Sequence, residues 1–165
     1  MRTLVAAVGY RNLSDFSVGP LLLEALEQMD WGPGVDLEDL SYGPIAVVQN
    51  LEDRAPYDRM VFLSAVKRGR VPDVYRREWN PPLPSEEEIQ ARIGEAVTGV
   101  IDLDNLLVVA QYFRVLAPTV VTIEVEPVDC ECGEALSPVV SAMVPSILMR
   151  VKAEAYGGVT SSIAR

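Results

Sequence analysis

The sequence contains no histidine, and this is its most restrictive absence. Imidazole is the side chain that titrates near neutral pH, and it is the commonest nitrogen ligand for metals in proteins. Every mechanism that needs histidine as a base, a proton shuttle or a metal ligand is therefore excluded. Serine or cysteine nucleophiles that depend on a histidine partner are excluded for the same reason.

Cysteine is scarce as well, since the chain contains only Cys130 and Cys132, separated by one residue. Such a pair cannot complete a tetrahedral zinc site within one chain without further cysteine or histidine ligands. An exported chain of this size more often shows several paired cysteines. We therefore expect reduced loop cysteines in a cytoplasmic protein, with a soft-metal or redox pair as the alternative.

Long apolar runs and an excess of basic residues are also missing. The densest apolar run, residues 106–110, is far shorter than the roughly 18 residues of a membrane-spanning helix, and the N-terminus lacks a signal-peptide pattern. The chain has 14 basic and 24 acidic residues, a formal net charge of -10 at pH 7. This balance opposes contact with phosphate backbones and anionic lipid. We expect neither nucleic acid nor a membrane as a partner.

The patterning that is present favours an α/β fold. Apolar runs predict buried strands at residues 3–8 and 60–66, and further strands are predicted at 35–40, at 74–79 on the outside of the sheet, and at 119–126 near a sheet edge. Helices are predicted at 20–29, 45–51, 85–97 and 103–116, with a last helix capped by Ser137. This alternation predicts a three-layer α/β/α sandwich with a mainly parallel, mixed sheet of about five strands. We expect residues 1–158 to form this single domain and residues 159–165 to be a loose tail.

The most informative stretch is residues 4–29, where an apolar strand ends at Gly9 and a polar loop leads into an amphipathic helix. In open α/β proteins, a strand tip followed by a helix start brings backbone groups and side chains together in one crevice. The loop contains Asp15 and Phe16. Asp15 either caps the following helix or hydrogen-bonds a partner's backbone. Phe16 either fills the core or contacts a bound tail.

Three segments together resemble the hydrogenase maturation protease family. They are residues 9–20 (GYRNLSDFSVGP), the strand MVFLSAV with the RGRVPDVY that trails it, and residues 124–140 (EVEPVDCECGEALSPVV). Their order and their positions on matching predicted elements carry the resemblance, which runs from about residue 3 to residue 150. The resemblance implies an α/β/α sandwich. It also implies an endoprotease that removes a C-terminal peptide from the large subunit of nickel–iron hydrogenase after nickel insertion.

The sequence departs from that family at the positions of the metal ligands. By the resemblance, the family binds nickel through two carboxylates and one histidine. One acid position falls on Phe16, the other falls on Ser64, and the chain has no histidine. A phenyl group and a hydroxyl cannot replace carboxylates around a divalent cation. We therefore expect no catalytic residues, no nickel site and no cofactor.

The resulting hypothesis is a maturation factor that keeps the protease-like fold and binds the hydrogenase large subunit or its C-terminal segment without cleaving it. The predicted partner-binding crevice comprises Asp15, Phe16, Ser41, Tyr42, Gly43, Ser64, Asp102 and Gly133. One alternative is an active endopeptidase of divergent design, in which the substrate carries the metal and the protein supplies shape and Asp15. The other is an unrelated small-molecule binder on a reused fold.

Two further groups of side chains have an ordinary and a functional interpretation. The first group is Asp102, Asp104 and Asn105. These residues either cap and solvate a helix N-terminus, or they join Asp15 to form a replacement set of oxygen ligands.

Glu124 and Glu126 share a strand face, where we expect them to point into water rather than to form a functional carboxylate pair. Composition also allows a dyad of Ser64 and Lys67, although residues three apart at a strand end need a special turn to meet.

Overall fold

The computed structural model describes residues 1–158, which contain one five-stranded sheet with helices on both faces. The strands are β1 (Thr3–Ala7), β2 (Val35–Asp39), β3 (Arg59–Ala65), β4 (Val74–Glu78) and β5 (Thr119–Val125). Their order is β2-β1-β3-β5-β4, and all neighbours are parallel except β4, which pairs antiparallel to β5. The predicted three-layer fold with a mixed sheet is confirmed. The predicted loose tail, residues 159–165, lies outside the described residues.

The α-helices among residues 1–158 are α1 (Val18–Glu27), α2 (Pro44–Glu52), α3 (Glu86–Ala96), α4 (Leu103–Tyr112) and α5 (Pro138–Ala155), with a short 3-10 turn at Ser14–Ser17 before α1. Three of these five helices, α3, α4 and α5, begin at a residue whose side chain caps the helix. Ser85 and Glu88 form the predicted capping box of α3, and the Ser137 hydroxyl caps α5. The helix α4 ends earlier than predicted, because Arg114 adopts a left-handed backbone with φ 60°. No helix among residues 1–158 is long and apolar enough to cross a membrane.

The core lies in two layers, one on each face of the sheet. On one face, Leu63 and Ile123 pack with side chains of α1 and α5. On the other face, Met60 and Phe62 pack with side chains of α2 and α4. Both faces of β3 are therefore covered, which is the physical reason for its uninterrupted apolar sequence.

The surroundings of β5 differ from the prediction. The strand lies near an edge of the sheet as predicted, beside the edge strand β4, but the polar residues expected to meet solvent or a cleft are buried. Thr122 and Glu124 are 0% exposed and Glu126 is 3% exposed. The prediction that the two glutamates point into water is therefore wrong. The antiparallel strand β4, correctly predicted as an outer strand, places Tyr75 opposite Glu124 and Arg77 opposite Thr122.

Gly19 brings α1 into close contact with the ends of the two central strands. A Cβ atom at Gly19 would lie 2.8 Å from the carbonyl oxygen of Val8 and 2.9 Å from that of Leu63. Only glycine fits such a backbone contact without displacement. The close approach holds the loop between β1 and α1 over the carboxyl ends of β1 and β3.

Candidate functional site: a cleft at the carboxyl ends of β1 and β3

A cleft of about 160 Å³ lies between the loop after β1, the end of β3 and the start of α4. It is lined by Gly9, Tyr10, Phe16, Ser64, Ala65, Val66, Lys67, Ile101, Asp102 and Leu103. The carboxyl ends of parallel strands are where open α/β sheets place their ligand sites. Three of the predicted crevice residues, Phe16, Ser64 and Asp102, line this cleft together.

Two contacts of Tyr10, one aromatic and one a hydrogen bond, connect the walls of the cleft. The rings of Tyr10 and Phe16 pack edge to face, with centroids 6.2 Å apart and an interplanar angle of 73°. The Tyr10 hydroxyl accepts a hydrogen bond of 2.8 Å from the backbone amide of Ile101. The loop after β1 is thereby joined to the segment that precedes α4.

Phe16 and Ser64 occupy the positions where, by the resemblance, the family has metal-binding acids, and neither side chain has an anionic oxygen. Phe16 presents an aromatic ring to the cleft. Ser64 is 3% exposed, and its hydroxyl donates to the Ala65 carbonyl over a long 3.4 Å. Nowhere in residues 1–158 do three or more histidine, cysteine, aspartate or glutamate side chains form a group that could hold a metal ion. The donor set of the cleft does not fit nickel, which needs several oxygen, nitrogen or sulfur ligands.

Asp15 is a structural residue in this arrangement. Its fully buried carboxylate accepts hydrogen bonds from the amides of Val128 at 2.9 Å, Asp129 at 2.8 Å and Ser137 at 2.8 Å. It also accepts a bond of 2.8 Å from the Ser137 hydroxyl. The prediction that Asp15 caps α1 is wrong, because Ser17 occupies the cap position and no side chain caps it.

The electrostatics of Asp15 follow from these bonds. Burial alone would raise the pKa of the Asp15 carboxyl, but hydrogen bonds from the backbone of Asp129, Ser137 and Val128 outweigh it, so the pKa is lowered. The charged carboxylate therefore attaches the loop after β5 and the start of α5 to the loop after β1. Its oxygens are occupied within the chain, and Asp15 does not line the cleft.

Three other predicted crevice residues support the loops around the cleft but do not line it. The Ser41 hydroxyl accepts a bond of 3.0 Å from the amide of Gly9. The Tyr42 hydroxyl accepts one of 2.8 Å from the side chain of Asn50. Gly43 is the residue before α2 and lines a separate, small apolar cavity.

Gly133 is also outside the cleft, because it pairs with the loop after β1. Its amide donates to the Asn12 carbonyl at 3.0 Å, and its carbonyl accepts from the Ser14 amide at 2.9 Å. A Cβ atom at Gly133 would lie 2.7 Å from the Ser14 hydroxyl oxygen. The neighbouring Cys130 and Cys132 form no disulfide, and burial raises the pKa of the Cys130 thiol.

The polar residues at the start of α4 divide into two roles. Asp102 caps the helix, as its carboxylate accepts a bond of 2.7 Å from the Asn105 amide. Asp104 does not face solvent freely, because it pairs with Arg68 at 2.9 Å and with Arg77 at 2.6 Å. The alternative of a replacement ligand set is wrong, since these arginines already occupy the oxygens of Asp104.

Asp104 belongs to an arginine–carboxylate network behind the cleft wall. The network consists of Arg68, Arg70, Arg77, Asp104, Glu124 and Glu126. Its three positive and three negative charges balance. It connects β4 and β5 to the segment after β3 and to the first turn of α4, and both of these contribute lining residues to the cleft.

Glu124 is the centre of this network. Its carboxylate accepts bonds of 2.8 and 2.9 Å from Arg68, one of 2.8 Å from Arg77 and one of 3.1 Å from the Thr122 hydroxyl. Burial would raise the pKa of Glu124, but the two guanidinium groups lower it to about 2. The sequence did not predict this network. Its available signal was the basic residues at 68 and 70, which precede β4, and at 76–77, which lie within β4 itself.

The hypothetical dyad of Ser64 and Lys67 is not formed. Both residues line the cleft, but no hydrogen bond joins their side chains in the described part of the chain. Lys67 is exposed and enters no ion pair there.

Comparisons with known proteins show which solved structures this chain is similar to. No family model matches the sequence, and no curated protein does. Among solved structures, a hydrogenase 2 maturation peptidase from a Thaumarchaeota archaeon is 27% identical, with a TM-score of 0.65 over 96% of this chain and 99% of that chain. The chain is similar in fold and in sequence to a hydrogenase maturation peptidase over nearly its whole length.

Other structures of this family share the fold at lower identity. The hydrogenase maturating endopeptidase HybD from E. coli is 23% identical, with a TM-score of 0.69 over 95% of this chain and 94% of that chain. The [NiFe] hydrogenase maturation protease HycI from Thermococcus kodakarensis is 21% identical, with a TM-score of 0.64 over 90% of this chain and 88% of that chain. The match to the protease fold therefore extends over nearly the whole chain.

Proposed function

We propose that this protein is a hydrogenase maturation factor that binds the large subunit of nickel–iron hydrogenase, or its C-terminal segment, and does not cleave it. The observation that carries the proposal is the cleft itself. The protease fold is kept around it, but Phe16 and Ser64 stand where the family resemblance places acids.

The chemistry of the lining favours binding over hydrolysis. Much of the lining is apolar or aromatic, and it includes Tyr10, Phe16, Val66 and Ile101. Burying a partner's apolar side chains against this surface lowers the free energy of the complex. Hydrolysis of a peptide bond needs a group that activates water and a group that stabilises the developing oxyanion. The buried carboxylate of Asp15 serves neither purpose, because its oxygens already accept four hydrogen bonds.

The second candidate is an active endopeptidase in which the substrate carries the metal. Two structural neighbours, an endopeptidase and a maturation protease, favour this active-enzyme alternative. This candidate relies on Asp15 as the acid that the protein supplies. The Asp15 side chain is 0% exposed, which argues against such a role. An unrelated small-molecule binder has no specific support among the described residues.

Incubation with a nickel-loaded large-subunit precursor separates these functions. The sample is analysed by size-exclusion chromatography and by intact mass spectrometry. We expect the two proteins to elute together and the precursor mass to stay unchanged. A mass decrease equal to a C-terminal peptide would identify an endopeptidase, and separate elution with or without nickel would refute large-subunit binding.

A matched pair of variants tests whether the cleft is the contact surface. Phe16→Ala removes a phenyl group from the cleft, and Phe113→Ala removes one that is 39% exposed beyond the far end of α4. We expect Phe16→Ala to weaken binding of the large subunit about tenfold or more, in line with loss of an aromatic interface anchor. Phe113→Ala should leave the affinity unchanged, and circular dichroism checks that both variants fold.

A further inference from the structure

Lys67 is a charged cleft residue whose ammonium group forms no hydrogen bond and no ion pair within residues 1–158, although its charge acts on the nearby Cys130 thiol. The next basic residues along the chain, Arg68 and Arg70, are both engaged in the arginine–carboxylate network. Lys67 instead is exposed and lines the cleft. In a chain with a formal net charge of -10, an unpaired cation at the cleft is a specific local feature.

Two further polar groups of the cleft have spare hydrogen-bonding capacity. The Ser64 hydroxyl is almost fully buried, and its one bond is the long 3.4 Å contact to Ala65. One carboxylate oxygen of Asp102 accepts from Asn105, and the other accepts no bond within residues 1–158. The cleft thus combines an ammonium, a hydroxyl and a carboxylate oxygen with the aromatic surface of Phe16.

We propose that the cleft binds the free carboxyl end of a peptide chain. The terminal carboxylate pairs with the Lys67 ammonium and accepts a hydrogen bond from Ser64. Asp102 accepts from a backbone amide just before the end, and the last side chain packs on Phe16. This proposal rests on the proposed function and identifies the bound element as the very end of the large subunit's C-terminal segment.

The chemistry distinguishes a chain end from the middle of a chain. The backbone of an internal segment presents only neutral amides to the cleft, so it leaves the Lys67 ammonium unpaired. A terminal carboxylate forms a charge-assisted hydrogen bond, which is roughly twice as strong as a neutral one. The negative net charge of the protein works against any anionic peptide at long range, so a preference for the free acid must come from local groups such as Lys67.

The test uses a peptide of the last fifteen residues of the large-subunit precursor, made as the free acid and as the C-terminal amide. Each carries an N-terminal fluorophore, and the affinity is measured by fluorescence anisotropy. We expect the free acid to bind at least tenfold more tightly than the amide. Lys67→Gln should abolish this preference, and Lys67→Arg should retain most of it.

Arg114→Gln is the matched control, because Arg114 is likewise exposed and without an ion pair among the described residues, but lies beyond the far end of α4. It should leave the preference unchanged. The chain-end proposal is overturned if the acid and the amide bind equally well, or if neither peptide binds. In either case, co-elution of the whole precursor still upholds the proposed function. Failure of the precursor to co-elute refutes the proposed function itself, and the chain-end proposal falls with it.

Discussion

The carboxylate of Asp15 accepts hydrogen bonds from both the amide and the hydroxyl of Ser137, and each is 2.8 Å long. The two residues are 122 positions apart in the chain. Because Ser137 also caps α5, Asp15 connects the loop after β1 to the start of this last helix. Asp15 therefore has a full structural role that requires no catalysis.

The first prediction concerns Asp15→Asn. The amide keeps the size of the side chain, but it replaces one anionic acceptor with a donor that faces backbone amides. We expect a loss of about 2 to 4 kcal/mol in the free energy of unfolding, since buried hydrogen bonds to a charged group are lost together. Urea denaturation followed by circular dichroism measures it. Asp53→Asn, at an exposed position, should change stability by less than about 0.5 kcal/mol.

The second prediction is a loss of stability in acid. The pKa of Glu124 is lowered from 4.5 to about 2, so the free energy it contributes is fully present above pH 4.5 and is lost as the pH falls toward 2. Asp15 acts in the same direction, because its pKa is also lowered. We expect the Glu124 contribution to be on the order of 3 kcal/mol. Urea denaturation at pH 7, 4 and 3 should show the fall, and a flat profile would contradict it.

Glu124→Gln isolates this contribution. The substitution leaves Arg68 and Arg77 with half of their neutralising partners, and breaking a buried ion pair costs about 3 to 5 kcal/mol. We expect that loss at pH 7, together with a weaker dependence of stability on pH below 4.5 than in the wild type. Glu52→Gln, at an exposed position of α2, is the control and should retain the wild-type profile.

A pair of glycine substitutions tests the contact that holds α1 against the sheet. Gly19→Ala would place a methyl group within 2.9 Å of two carbonyl oxygens, so we expect destabilisation of about 1 to 3 kcal/mol. Gly94→Ala meets no atom within 4 Å and lies inside α3. It should stabilise the protein by about 0.5 to 1 kcal/mol. Thermal unfolding of both variants gives the comparison, and equal effects would refute the close contact.

Local signals made most of the fold predictable from the sequence. Ser85 with Glu88, and Ser137 with Pro138, act through atoms a few residues apart, and both helix starts are confirmed. The burial of β3 follows from its continuous apolar sequence in the same way.

The environments of the acids depended on distant partners and were not predictable. Arg68 and Arg77 lie 56 and 47 positions from Glu124, so the alternation of β5 revealed a polar face but not the arginines that cover it. The interpretation of Asp15 as the cap of the next helix fails for the same reason, since its hydrogen-bond partners begin 113 positions away. The sequence did bring Phe16, Ser64 and Asp102 to one crevice, because the ends of parallel strands meet there.

The cleft does not offer a set of ligands for nickel. Isothermal titration of the purified protein with Ni²⁺ at neutral pH tests it most directly, because heat and stoichiometry are read without any partner. We predict no saturable uptake at one ion per chain with a dissociation constant in the micromolar range or below. Tight binding of one nickel ion per chain, lost on Ser64→Ala or Asp102→Asn, would contradict the account.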